Sequence, residues 1–219
     1  MNGVQIIDVR AVGADSELIS LILSDGSEVL CSYAEYVSLN LPVDGELTEA
    51  DSLLLQRSAR VIALKRLALR KLAARPMSRK ELKSLLLRSH KNKPAPAVDE
   101  VETALSQLDT GGYVNDEAFA AFWVDQRDRF RPRSARMLRA ELANKGVSRE
   151  IIDDMATQGS EIDRAVKAGS SAARTAKRRF GDDRKAFNVL AGAALQRRGF
   201  TFAIIRQALD ILWDEHSSE

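Results

Sequence analysis

Arginine carries most of the chemistry this sequence offers. Its planar guanidinium presents a fork of donors matched to phosphate or carboxylate, and here Lys and Arg fall in three runs. Thirteen lie between Arg57 and Lys93 with one acid, Glu81; eight lie between Arg127 and Arg149 with Asp128 and Glu141; ten lie between Arg164 and Arg198 with Asp182 and Asp183. Helices held by their own ion pairs interleave acids four residues away, and these runs mostly lack them. The pattern predicts a face presented to a polyanion.

Catalytic signatures are missing. No GxxxxGK[ST] loop is present to cradle phosphate, no GxSxG elbow to raise a nucleophile, and no HExxH to hold zinc. His90 sits in a Lys-rich loop and His216 near the last residues, both read as ordinary surface histidines. Cys31 is the single cysteine and cannot close an intramolecular disulfide. One cysteine and two histidines make no zinc cage, so no metal and no cofactor are expected. Asp153-Asp154 and Asp182-Asp183 read as helix caps. The expectation is a protein that works by occupying a surface, with no enzymatic activity.

The elements that must position these side chains are mainly helical. Residues 4–31 read as three short strands, Val4–Val9, Leu18–Leu23 and Glu28–Cys31, joined through Gly13-Ala14-Asp15 and the hairpin signal Asp25-Gly26. Ser32–Leu39 suits a short helix. Thr48 with Asp51 marks a capped start for a Leu/Ala/Arg/Lys-rich helix that ends before Pro76, with apolar positions Leu53, Val61, Leu64, Leu67, Ala68 and Leu72. Beyond it, Ser78, the Pro94/Pro96 loop, Gly111-Gly112, Asn115-Asp116, Pro132, Gly146, Gly159, Gly181 and Gly199 punctuate helical segments.

Those segments repeat. An offset of 53 sets Gly146 on Gly199, Leu142 on Leu195, Val147 on Phe200, Ser148 on Thr201 and Ile151-Ile152 on Ile204-Ile205. An offset of 56 sets Ser78 on Ser134, Leu82 on Leu138 and Leu86 on Leu142, and one of 50 sets Val101 on Ile151. The expected fold class is therefore mainly α: tandem repeats of three-helix units forming an elongated curved body, with a small N-terminal antiparallel β segment. The expected divisions are an acidic β segment at 1–50, a first helical unit with its lead-in helix at 51–125, a second at 126–170 and a third at 171–219.

Charge follows the same division. The 219 residues hold 33 Lys+Arg against 31 Asp+Glu, yet residues 1–56 carry Arg10 alone against ten acids, and residues 57–219 carry 32 basic residues against 21 acidic. The cationic remainder points to a polyanion or a protein coated with one. No apolar run approaches the roughly 20 residues of a membrane span, and no signal segment is seen; a cytoplasmic monomer is expected.

The segment Gly111-Gly112-Tyr113-Val114-Asn115-Asp116-Glu117-Ala118-Phe119-Ala120, with Trp123-Val124, Arg127, Arg131-Pro132-Arg133-Ser134, Leu138, Glu141-Leu142 and Lys145-Gly146-Val147, resembles the RecX regulators of the RecA recombinase. Arg179-Phe180 and Leu195-Gln196-Arg197-Arg198-Gly199-Phe200 with Ile204-Ile205 resemble that family's third unit. The resemblance runs from about residue 60 onward and departs from the simplest pattern at the basic loop Lys91–Pro96. It implies a non-enzymatic regulator that binds in the groove of the RecA–DNA filament. Such a regulator inhibits ATP turnover and strand exchange, modulates DNA repair and recombination in the SOS response, and has some affinity for single- and double-stranded DNA.

Candidate contacts with DNA or recombinase are Arg127, Arg131, Arg133, Arg136, Arg139 and Lys145, followed by Arg178, Arg179, Lys185, Arg197 and Arg198. Tyr113, Phe119, Phe122, Trp123, Phe180, Phe200 and Phe202 are expected to pack in cores rather than stack on bases. The alternative reading is a winged-helix transcription regulator, from Ser78–Leu82 and Val101–Leu108 leading into Gly-Gly-Tyr-Val. That reading requires a strand returning after Gly112.

Overall fold

The computed structural model of the chain describes residues 4–13, 18–88, 95–156 and 159–217. His90, Lys91, Lys93, Pro94 and the Ala14-Asp15 part of the first turn lie outside the described residues. The order is β1 (Ile6–Ala11), β2 (Leu18–Leu23), β3 (Glu28–Ser32), α1 (Tyr33–Ser38), α2 (Glu49–Ala74), α3 (Arg79–Arg88) and α4 (Val98–Thr110). It continues with α5 (Asp116–Phe130), α6 (Ala135–Asn144), α7 (Arg149–Ala156), α8 (Glu161–Phe180), α9 (Arg184–Arg197) and α10 (Phe202–Ser217). The chain forms two compact units, one of residues 1–75 and 82–114, the other of 76–81 and 115–219.

In the first unit the strands make an antiparallel sheet in the order β1-β2-β3, with Val9 opposite Leu21 and Ser20 opposite Leu30. Strand alternation puts Ile19, Leu21 and Leu23 on one face, where they share a core with Ile6, Cys31, Leu41, Leu47 and Leu55 of α2. The helix thus supplies the cover that three short strands need. Thr48 and Asp51 form the anticipated capping box: the Thr48 hydroxyl accepts from Asp51 N at 3.1 Å and the Asp51 carboxylate from Thr48 N at 3.2 Å. From there α2 runs 26 residues as one helix, about 39 Å long. It buries Val61, Ile62, Leu64 and Ala68, while Leu53, expected on the apolar face, is exposed. Arg75 is extended at φ −165° ahead of Pro76, as a residue preceding proline must be.

The second unit contains two three-helix cores. Phe119, Ala120, Val124, Leu138, Leu142, Val147 and Ile152 join α5, α6 and α7. Ala165, Ala168, Ala173, Ala176, Phe187, Ala191, Leu195, Phe200, Ile205, Ala208, Leu209 and Leu212 join α8, α9 and α10. The divisions expected at 126 and 171 fall inside α5 and α8, because each of these long helices keeps its whole apolar face in one core. The face of α8 is built of small residues, and a Cβ at Gly169 would stand 2.6 Å from Leu212 Cδ1, so α10 lies close against it. The equivalences read from the sequence occupy equivalent sites: Leu142 and Leu195, Val147 and Phe200, and Ile152 and Ile205 are all buried.

Among the described residues, the three named strands are the only ones, and after Gly112 the chain enters α5 directly, capped by Asn115 accepting from Ala118 N at 2.8 Å. The returning strand a wing requires is therefore not there. No described helix is long and apolar enough to cross a membrane.

Candidate nucleic-acid interface

The seam that orders the second unit is built from two serines and two glycines. Ser78, fully buried, accepts from Glu81 N at 3.1 Å and donates to the Lys145 carbonyl at 2.7 Å, where α6 ends. Ser134, equally buried, caps α6, accepting from Met137 N at 3.3 Å, while its own N–H donates to the Arg198 carbonyl at 3.1 Å, where α9 ends. The glycines after these carbonyls, Gly146 and Gly199, both have φ +84°. A Cβ would meet Lys80 Cβ at 2.7 Å in one case and Met137 Cγ at 2.5 Å in the other. Glycine is required twice over at each, for its left-handed backbone and for the close approach.

This seam fixes α6, and with it the densest arginine run. Glu141 on α6 accepts from Trp123 Nε1 at 2.9 Å and from Arg127 Nε at 2.7 Å, and forms an ion pair with Arg133, whose Nε lies 3.0 Å away. The Arg127 guanidinium also lies 4.5 Å from the Trp123 ring, with the Lys145 ammonium 4.8 Å away. Lys145 pairs with Glu81, and Arg139 lies 3.4 Å from Asp153. The expectation that this run mostly lacks acidic partners is corrected: Arg129 and Arg149 pair with Asp125 and Asp153 four residues away, and Arg127, Arg133, Arg139 and Lys145 are engaged by more distant carboxylates. The acids of these last four come from 8 to 64 residues away, beyond the i±4 window.

Arg131 and Arg136 are different. Both are exposed and in no ion pair among the described residues. Arg178, Lys185 and Arg197 share that condition, and Arg198 is half-buried and, among the described residues, in no ion pair. Arg179 is exposed with its guanidinium 5.2 Å from the Phe180 ring. In the first unit, Arg66, Arg70 and Lys71 make a comparable exposed edge of α2, while Arg57 and Arg60 are bound to Asp99 and Glu100 at 2.7 and 2.6 Å.

The aromatics mostly follow expectation. Phe119 and Phe200 are buried, Phe122, Trp123 and Phe180 are half-buried, and Trp213 packs edge-on against Phe187 with ring centroids 5.0 Å apart. Tyr113 and Phe202 depart from it, being 61% and 79% exposed; each stands at a helix boundary, outside the apolar stripe of its neighbours. Sequence reasoning missed the pair between Arg164 on α8 and Asp128 on α5. Arg164 Nε stands 2.9 and 3.1 Å from the two Asp128 oxygens, and the arginine side chain is only 6% exposed. Its one sequence signal was Asp128 itself, an acid inside a basic run. Among the described residues no group of His, Cys, Asp and Glu is placed to hold a metal ion.

Three-helix units joined by serine-on-carbonyl seams, with arginines left over on exposed faces, define a tandem helical-repeat protein with cationic surfaces. Residues 115–155 match the family model of the RecX second three-helix domain. The regulatory protein RecX of Chlorobium phaeobacteroides is 34% identical over 144 residues, covering 66% of this chain and 89% of the relative. That of Mycolicibacterium vanbaalenii is 33% identical over 186 residues, covering 82% and 94%. A crystal structure of a regulatory protein RecX superposes with TM-score 0.72 at 19% identity, covering 94% of this chain and 99% of the other; that of RecX from Lactobacillus salivarius does so with TM-score 0.58 at 20% identity, covering 70% and 96%. The chain belongs to the RecX family of regulatory proteins.

Proposed function

We propose that the chain is a non-enzymatic regulator of the RecA recombinase, binding the RecA–DNA filament in its groove, contacting DNA directly, and depressing ATP turnover and strand exchange. Membership of a family of regulators supports the partner. The observation that carries the mode of action is the pair Arg131 and Arg136, exposed beside an α6 that is otherwise saturated with ion pairs. Free guanidiniums at the end of α5 and on α6 can meet phosphates or carboxylates bidentately without first giving up an internal partner.

The test adds the purified protein to RecA assembled on single-stranded DNA and follows ATP hydrolysis. The wild-type chain is expected to inhibit, and Arg131→Glu with Arg136→Glu to weaken inhibition at least fivefold while leaving the thermal midpoint unchanged. Full inhibition by that double variant would remove this face from the interface. Arg133 is kept out of the variant because its bond to Glu141 makes its loss a structural event.

A further inference from the structure

On the third three-helix core, α8 presents Ser171, Arg174, Thr175 and Arg178 at helical spacing on one face. With Lys177, and with His216 from the last turn of α10, they line a concavity of about 490 Å³. Among the described residues, no carboxylate and no hydrophobic side chain contributes to that lining. Arg174 and Arg178 are exposed and in no ion pair among the described residues. Lys177 is held at one edge, 2.9 Å from Asp182 and 4.2 Å from the Trp213 ring. The Thr175 hydroxyl donates to the Ser171 carbonyl at 2.9 Å.

Like charges four residues apart on a helix repel, so Arg174 and Arg178 carry a cost in the absence of an anion. The helix dipole accounts for cations in the last turn, where Lys177, Arg178 and Arg179 stand, and its effect fades within that turn. It does not account for Arg174, for His216 approaching from another helix, or for the hollow between them. The size is that of a small-ligand site, and the donors suit an oxyanion.

We infer that this concavity is a phosphate-binding site, gripped chiefly by Arg174 and Arg178, that takes either a backbone phosphate of a nucleic-acid strand or a free phosphate. It sharpens the DNA-contact part of the proposed function, and its test needs no recombinase. The full chain is titrated with a labelled single-stranded oligothymidine, and separately with inorganic phosphate while the side-chain Nε–H NMR signals of Arg174 and Arg178 are followed. Arg174→Gln with Arg178→Gln is expected to weaken oligonucleotide binding at least tenfold and to reduce the log-affinity slope against log salt by about 0.7 for each phosphate released. Arg174→Lys with Arg178→Lys is expected to restore most of it.

Loss of oligonucleotide affinity identifies the strand backbone as the source. Shifts with inorganic phosphate alone, at unchanged oligonucleotide affinity, identify a free phosphate. An unchanged oligonucleotide affinity together with unmoved arginine signals overturns the site. If in that case Arg131→Glu with Arg136→Glu still loses oligonucleotide affinity, the DNA-contact reading stands without the pocket.

Discussion

Glu141 gathers two hydrogen-bond donors and a further guanidinium on one largely buried carboxylate, so its replacement reaches beyond a single contact. Glu141→Ala releases Trp123, Arg127 and Arg133 together, leaving part-buried donors unmatched, and is expected to cost about 2–4 kcal/mol in urea unfolding. Asp128→Ala deprives the buried Arg164 of the carboxylate it grips through both oxygens; an expected loss of about 3 kcal/mol should exceed that of Arg164→Met, which removes the buried charge as well. Cys31 obeys a different logic. Burial, then the nearby Glu35 charge, push its thiol from 9.0 up to about 11. The folded state therefore holds this proton more tightly than the unfolded chain does. The resulting stability is complete below about pH 9 and lost as pH rises toward 11. Relative to Cys31→Ala, the wild-type chain should lose stability over that window, and its thiol should resist alkylation at pH 8 until the fold is opened by denaturant.

At the level of elements, the glycine seam yields an ordered pair of effects. Gly146→Ala and Gly199→Ala both force a side chain onto φ +84°, and each is expected to destabilise by about 1–3 kcal/mol in thermal or urea melts. Gly199→Ala should be the worse of the two. Its Cβ would crowd Met137 Cγ at 2.5 Å and also the Ser134 hydroxyl that caps α6 at 2.8 Å, whereas the Cβ at residue 146 would crowd Lys80 alone. These glycines were visible in the sequence because a turn residue repeats wherever its backbone geometry repeats. So were the Thr48 cap, the helix start at Asn115 and the Asp25-Gly26 turn between β2 and β3, which depend on neighbours a few positions away. The acids that bind Arg127, Arg139 and Lys145 were not visible. An ion pair between Glu81 and Lys145 depends on how α3 begins against the end of α6, and no local rule of spacing encodes that. The expected divisions at 126 and 171 fall inside α5 and α8 for a related reason: both helices are continuous in composition, and only the burial of Phe119 and Ala165 tells which core each serves.

For the molecule as a whole, the charge division legible in composition sets a measurable behaviour. Binding to duplex DNA should weaken linearly on a log–log scale with salt, by about 0.9 per phosphate contacted. Arg131→Glu with Arg136→Glu should flatten that line by roughly 1 to 2, whereas Arg127→Ala should leave the slope alone and lower the melting temperature instead. Sequence alone could name eleven cations but not sort them, because sorting requires knowing which are already matched. After sorting, Arg131, Arg136, Arg178, Lys185 and Arg197 remain exposed and unmatched among the described residues, and Arg174, which no local pattern distinguished, joins them.

The serine seams also impose a direction in time. Ser78 is seated by a carbonyl 67 residues further along, and Ser134 by the carbonyl of Arg198. During synthesis at about 5–20 residues per second, each opening helix turn must wait on the order of 3–13 s before the atoms that anchor it have been made. Each of these two helix starts is thus locked by a later segment of the second unit, which in a nascent chain acquires this order backward, from the part the ribosome delivers last.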